Sequence, residues 1–371
     1  MRLGILLLAA LTVVRAGTAR AQEPESVAKV EKTRAAERPR SGWAALPIGT
    51  YSPETSLGLG AFATHFFRFG NEPTATRPSS LSLVGLYTLN EQLITELIPE
   101  VYWDQENWHI WSRVDYRRYP NKLWAQGNRA RLDTEERYAE DRLRWQVLVD
   151  RALFGALRVE GKLEAIYMSL SDLRPNGLLD RDMLPGADGG RAIGLGGGVL
   201  WDSRNHMLTP DEGDFHELAV MSYGNLVGSE YGFSTVLLDL RRYVPITDTH
   251  TLALEFLSEL QSGRLPFFKL ATLGGEDRLR GLFEGRFRDK AMWCAQAEYR
   301  FPIIWRLSAV GHAGLGQVAR SAAEFGFTPP EWSVGAGGRI LLNTDERLNL
   351  RADFGVGRES WGIYVGIGEA Y

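Results

Sequence analysis

One cysteine, Cys294, is the whole complement in 371 residues. That excludes an intrachain disulfide framework and any cysteine-based zinc cluster. Outside the first two dozen residues, no apolar run approaches the ~18 residues that a membrane helix requires. Charge of one sign is also lacking. Lys and Arg total 42 against 46 Asp and Glu, a net charge of −4, which is a poor basis for binding nucleic acid. The six histidines (His65, His109, His206, His216, His250 and His312) show no His-x-x-x-His or His-Glu-x-x-His spacing. Asp172, Asp180, Asp182 and Asp188 do not follow an EF-hand, and read as a solvated loop. No Gly-x-Ser-x-Gly elbow and no phosphate-cradling glycine loop occurs. Neither a cofactor, a resident metal nor an enzymatic site is expected. A hydrolase assembled from distant residues is left to covalent serine-hydrolase probes.

The first segment is a targeting signal. Met1-Arg2 precedes an apolar stretch from Leu3 to Val14, and Ala19-Arg20-Ala21 supplies a small-x-small cleavage site. Cleavage before Gln22 removes Arg2, Arg15 and Arg20, taking the net charge from −4 to −7. Residues 22–42 form a charged tail that cannot bury a core, and no separate soluble domain is expected before the body at 43–371.

What the body has in abundance is alternation. Leu143, Trp145, Val147 and Val149 alternate with Arg142, Arg144, Gln146 and Asp150. Leu348, Leu350, Ala352, Phe354 and Val356 alternate with Asn349, Arg351, Asp353 and Gly355. Period two puts apolar side chains on one face of a strand and polar ones on the other. A soluble sandwich would bury the apolar face; a membrane barrel turns it to lipid and keeps a polar lumen. Many segments run well beyond the ~5–6 residues of a soluble strand and match the ~9–11 residues that cross lipid. Tyr102, Trp103, Trp108, Trp111, Trp201, Tyr243, Trp332, Trp361 and Tyr371 lie near strand ends, where an interfacial girdle would sit.

The expected fold is therefore all-β, a transmembrane antiparallel barrel of about sixteen strands, the even number of closed bacterial barrels. The strands are placed near 43–51, 56–69, 79–89, 91–103, 107–118, 135–150, 154–170, 191–202, 213–224, 231–243, 250–263, 291–301, 305–317, 331–342, 347–357 and 361–371. In the last, Trp361, Ile363, Val365, Ile367 and Tyr371 are assigned to one face, and Tyr371 reads as an outer-membrane assembly signal.

Between the eleventh and twelfth strands lies LGGEDRLRGLFEGRFRDK, residues 273–290, too long for a passive connection. With its Leu279-Arg280-Gly281 and Gly285-Arg286-Phe287-Arg288-Asp289, it resembles the inward-folded loop of the BamA/TamA superfamily of bacterial surface antigens. LPIGTYSPETSLGLG (46–60), YPNKLWAQGN (119–128), WDSRNHMLTPDEGDF (201–215) and AEYRFPI (297–303) fit the same family, so the resemblance runs from about Trp43 to Tyr371. It implies a loop latched in the lumen through Arg280 and Gly281. A buried guanidinium needs acceptors, and alternation on the twelfth strand points Gln296, Glu298 and Arg300 inward, which makes Glu298 the expected partner of Arg280. The family usually adds an acidic residue on the next strand; here His312 stands in that place.

The seam between first and last strands is the second candidate element. Pro47 cannot donate a ladder hydrogen bond, and Gly366 and Gly368 weaken the facing strand. The resemblance implies insertion, assembly or export of protein or lipid at the outer membrane, without enzymatic chemistry. Implied partners are outer-membrane lipids including lipopolysaccharide, the barrel-assembly machinery during biogenesis, and a polypeptide substrate or periplasmic partner. The alternative is a structural or pore-forming barrel with the loop as its plug.

Overall fold

The computed structural model describes residues 40–371 apart from 71, 74, 75, 345 and 346. The expected leader, 1–21, and the tail as far as residue 39 lie outside the described residues. The wall comprises β1 (Ser41–Ser52), β2 (Ser56–Phe67), β3 (Ser79–Thr88), β4 (Leu93–Trp103), β5 (Trp108–Leu123), β6 (Glu136–Phe154), β7 (Leu157–Ser171) and β8 (Gly190–Asp202). It continues through β9 (Gly213–Tyr223), β10 (Phe233–Pro245), β11 (Thr251–Gly263), β14 (Ala291–Ile304), β15 (Leu307–Ala319), β16 (Glu331–Asn343), β17 (Leu348–Gly357) and β18 (Ser360–Ile367). Two short strands, β12 (Ala271–Leu273) and β13 (Phe287–Asp289), pair with each other inside the long connection. Each of the sixteen wall strands pairs antiparallel with its neighbours, and β1 meets β18 to close the barrel.

The burial pattern inverts that of a soluble protein. On β3, Leu81, Leu83 and Tyr87 are exposed while Ser80, Ser82 and Thr88 are buried. On β4, Leu97 and Trp103 are exposed while Glu96 and Glu100 are buried. On β16, Trp332, Val334 and Ile340 face out, and Glu331, Ser333 and Arg339 face in. Leaving a large aliphatic side chain in water forgoes about 1.5–3 kcal/mol, and burying an unpaired charge costs more. Such a wall is stable with hydrocarbon outside and a hydrogen-bonded polar lumen within, which excludes the sandwich. The chain is a transmembrane β-barrel.

Several boundaries and faces differ from expectation. β5 runs on to Leu123 because its pairing with β6 continues from Tyr119–Glu140 through Pro120–Ala139 to Leu123–Glu136, and β6 runs to Phe154 because it pairs with β7 as far as Phe154–Leu157. The last strand stops at Ile367 rather than residue 371. Gly368 there takes a φ of +82°, which ends extended geometry and turns the chain inward. Tyr371 consequently leaves the outward face and packs, buried, with Tyr243 and Ala253, while its carbonyl accepts from Arg300 at 2.9 Å. Tyr102 and Tyr243 are also buried, so three aromatics assigned to the girdle belong to the lumen. Trp103, Trp201, Trp332 and Trp361 remain exposed.

Candidate functional site in the long loop and the seam

The connection from β11 to β14 touches walls that are far apart around the barrel. Glu284 N–H donates to Glu54 in the β1–β2 turn at 2.8 Å. Gly281 N–H donates to the Tyr364 hydroxyl of β18 at 3.0 Å, and its carbonyl accepts from Ser360 at 2.7 Å. Arg286 reaches the Ala130 carbonyl beyond β5 and Glu359 between β17 and β18. Leu273, Leu279, Leu282 and Phe287 are buried with Trp124, Met292, Cys294 and Val318. The Trp124 of the YPNKLWAQGN stretch therefore serves as a shelf for the loop. Gly127 N–H adds a backbone bond to the Arg288 carbonyl at 3.0 Å.

The loop tip sits where the wall has no side chains. The ladder row running from Glu298 continues through His312, Gly335, Gly355 and Gly362. A Cβ on Gly281 would come within 2.6 Å of the Gly355 carbonyl carbon, and Gly281 has a φ of +107°. Two constraints therefore fix glycine at 281: left-handed backbone and backbone-to-backbone approach. Leu279, with a φ of +65°, is held in a conformation that costs a non-glycine residue energy. Its N–H donates to Gln296 at 3.0 Å, and a Cβ on Gly314 would come within 2.6 Å of its side chain.

Arg280 is 1% exposed between two carboxylates that are wholly or almost wholly buried. It donates through Nη2 to Glu298 at 2.6 Å and through Nη1 to Asp353 at 2.8 Å. Glu298 also accepts from Arg300 at 2.8 Å. Asp353 accepts from Arg339 and, at 3.4 Å, from Arg351. Arg351 continues to Glu276 at 2.9 Å, and Arg339 to Glu369 at 2.7 Å. Arg280, Arg300, Arg339 and Arg351 thus meet Glu276, Glu298, Asp353 and Glu369 in a charge-balanced set, the condition under which buried ions are tolerated. The flanking carboxylates hold the Arg280 guanidinium well above its ordinary pKa against the opposing effect of burial.

Glu298 thus lies where the sequence placed it, in contact with Arg280. The second carboxylate does not come from the strand that follows. His312 lies beside Glu298 in the ladder, its imidazole over Gly335, and no hydrogen bond joins it to Arg280 among the described residues. Asp353 on β17 takes that role. Its position in Arg351-Ala352-Asp353-Phe354 already marked it as an inward residue, but nothing in strand order alone brings carboxylates of the fifth-last and second-last strands to one guanidinium. The loop's own curvature does that.

At the seam, Tyr51–Val365 is the one ladder pair between β1 and β18 among the described residues, supported by a Thr50 hydroxyl bond to the Val365 carbonyl at 2.9 Å. By contrast β1 pairs with β2 from Ser41 to Ser52, with Pro47 opposite Ala61. Gly366 belongs to β18 and pairs with Arg351. Gly368 lies beyond the strand, so its part in the seam is the turn and not a weakened ladder.

Among curated proteins none matches this chain. Solved structures do: BamA from Haemophilus ducreyi lacking POTRA domains 1–3, at 13% identity and a TM-score of 0.60, covers 90% of this chain and 70% of its own. CdiB from Acinetobacter baumannii, at 13% and 0.59, covers 88% of this chain and 59% of its own. CdiB from Escherichia coli, at 12% and 0.60, covers 88% and 62%. The chain thus spans less than two thirds of either CdiB, and likeness at these identities establishes the fold. The Omp85 superfamily domain matches residues 94–371, most of the barrel and the whole of the Arg280 loop, and the chain belongs to the Omp85 superfamily.

Proposed function

We propose that this chain is an outer-membrane barrel that aids the insertion, assembly or export of polypeptide or lipid, and that it does so without enzymatic chemistry. On this reading residues 1–21 are a cleaved leader, 22–42 a charged periplasmic tail and 43–371 the working barrel. Tyr371 contributes to recognition by the barrel-assembly machinery, and lipopolysaccharide and other outer-membrane lipids contact the outer wall. The latch of Arg280 and Gly281 onto Glu298 and Asp353, with His312 beside Glu298 in the ladder, holds the loop in the lumen and supports the wall next to the seam.

The observation that carries the reading is the seam. A ladder of one pair leaves N–H and C=O groups of β1 and β18 available, the property that makes a strand edge pair with another chain. The test is a disulfide across it. Directly opposed residues of an antiparallel pair lie about 4.5–5.5 Å apart at Cα, within disulfide reach, so Tyr51→Cys with Val365→Cys closes the seam; Cys294→Ser leaves no competing thiol. With this variant as the sole copy, levels of other folded outer-membrane proteins or exported polypeptides fall, and reductant restores them. Full function in the oxidised form makes the seam purely structural.

A second reading, a pore plugged by the loop, rests on the cavities. Spaces of about 340 and 260 Å³ lie on two sides of the loop and share Glu54, Tyr119, Thr272, Arg278 and Glu284 as lining. Steady single-channel conductance that rises in Arg280→Ala favours this reading.

A further inference from the structure

The larger cavity, about 340 Å³, is within the range of small-ligand sites and borders the latch, sharing Glu276, Arg351 and Glu369 with it. Its roof is loop residues 272–278 with Glu284; its floor is 204–210 together with the chain beyond Ile367; one wall is the inward face of β1 at the seam. Aliphatic groups from opposite sides converge on it: Ile48, Val84, Ile94, Leu208, Leu237 and Leu257.

The charges in the lining do not balance. Glu54, Asp239, Glu255, Glu276, Asp277, Glu284 and Glu369 face four cations, Arg204, Arg241, Arg278 and Arg351. Those cations are committed. Arg241 holds Asp239 and Glu255, Arg351 holds Glu276 and Asp353, Arg204 is paired with Asp202, and Arg278 turns toward Glu259. Glu369 is held by Arg339. Glu54, Asp277 and Glu284 are left with no salt-bridge partner among the described residues. Glu54 accepts an N–H bond from Glu284 but meets no cation. An independent sign of an unmet partner is Tyr371. It lines the same cavity at 5% exposure, and its hydroxyl has no hydrogen-bond partner.

We propose that this cavity is a binding site for a small organic cation with an aliphatic chain, its ammonium or guanidinium group between Glu54, Glu284 and Asp277 and its chain along Ile48, Val84 and Ile94. The geometry favours an organic cation over a metal ion, because no cluster of described residues has metal-ligand geometry and most of the wall is hydrocarbon. A cation there would also oppose the burial and like-charge repulsion that now raise Glu54 and Asp277. Burial first, and Glu284 second, push Glu54 up to about 7. Burial, Asp277 and Glu284 push Glu276 up to about 7 against the opposing pull of Arg351. The other titratable groups facing Glu54 are Tyr119 of β5 and Tyr364 of β18; Arg278 and Arg351 face Asp277.

The test titrates the full folded chain in an uncharged detergent with hexylammonium chloride, using hexanol, ammonium chloride and a protein-free micelle blank as controls. Calorimetry should show saturable binding at pH 8 that weakens at least tenfold at pH 5, where Glu54 is protonated. At pH 7 the heat should vary with the ionisation enthalpy of the buffer, because binding displaces protons. Glu54→Gln combined with Glu284→Gln should weaken binding at pH 8 at least tenfold while keeping the gel mobility of the folded barrel. Binding no stronger than hexanol or ammonium overturns the proposal, as does equal binding by the double variant. Should that variant fail to fold, the parent decides alone: pH-independent binding without proton release is adsorption to the barrel surface and refutes the site.

Discussion

Replacing Arg280 with alanine removes two charge-assisted hydrogen bonds at 2.6 and 2.8 Å and turns four cations against four carboxylates into three against four. Breaking a buried ion pair from one side costs about 3–5 kcal/mol. Here the low end applies, because Glu298 keeps Arg300 and Asp353 keeps Arg339 and Arg351. A loss of about 3 kcal/mol corresponds to roughly a hundredfold shift from seated toward released loop. The folded barrel of Arg280→Ala should lose its compact mobility on gels at a lower temperature than the parent, and protease should cut within 264–290 at concentrations that leave the parent intact. Arg280→Lys should recover only part of the loss, since one ammonium cannot span both carboxylates in the planar fork geometry. A cycle with Asp353→Asn separates the pair from general damage: the two changes together should cost clearly less than their sum. Unchanged heat resistance and unchanged proteolysis in Arg280→Ala would refute the latch.

Gly355→Ala should destabilise the seated loop as Arg280→Ala does, because its Cβ would collide with the Arg280 carbonyl and Gly281 N–H; a normal protease pattern in that variant counts against the backbone contact. Heat resistance should also depend on pH through Glu54, raised to about 7. The native state binds a proton that the unfolded state releases near 4.5, so the contribution is full below about pH 4.5. It is lost as pH rises through 7, at roughly 3 kcal/mol. Melting followed from pH 5 to pH 8 should fall and then level off, and Glu54→Gln should flatten the curve; a rise over that range contradicts the assignment.

The wall was legible because a two-residue period in a chain this charged has few stable outcomes, and the sixteen strands follow it closely. The misplaced parts share one cause. Alternation reports which face a residue takes and says nothing of where a backbone leaves the sheet. Gly368 turns the chain inward, so Tyr371 moved from the lipid face to a buried contact with Tyr243. Glu298 could be predicted because it stands two residues from Gln296 and Arg300 on a strand whose apolar face is plain. Asp353 was visible as an inward residue but not as a partner, since its meeting with Arg280 depends on how a loop of many residues crosses the lumen. The same limit hid β12 and β13, three residues each, whose pairing requires the loop to fold back on itself.

The claim on which all of this depends is that the apolar face of the wall meets hydrocarbon. Spin labels placed singly at Leu83 and Val220, with Ser82 and Ala219 as inward neighbours and Cys294→Ser as background, test it in reconstituted bilayers. Oxygen, which concentrates in lipid, should relax the labels at Leu83 and Val220 strongly while a water-soluble nickel complex leaves them unaffected, and the inward sites should lack this preference. Nickel relaxation at Leu83 and Val220 equal to that of an exposed loop label would show water on that face and contradict the account.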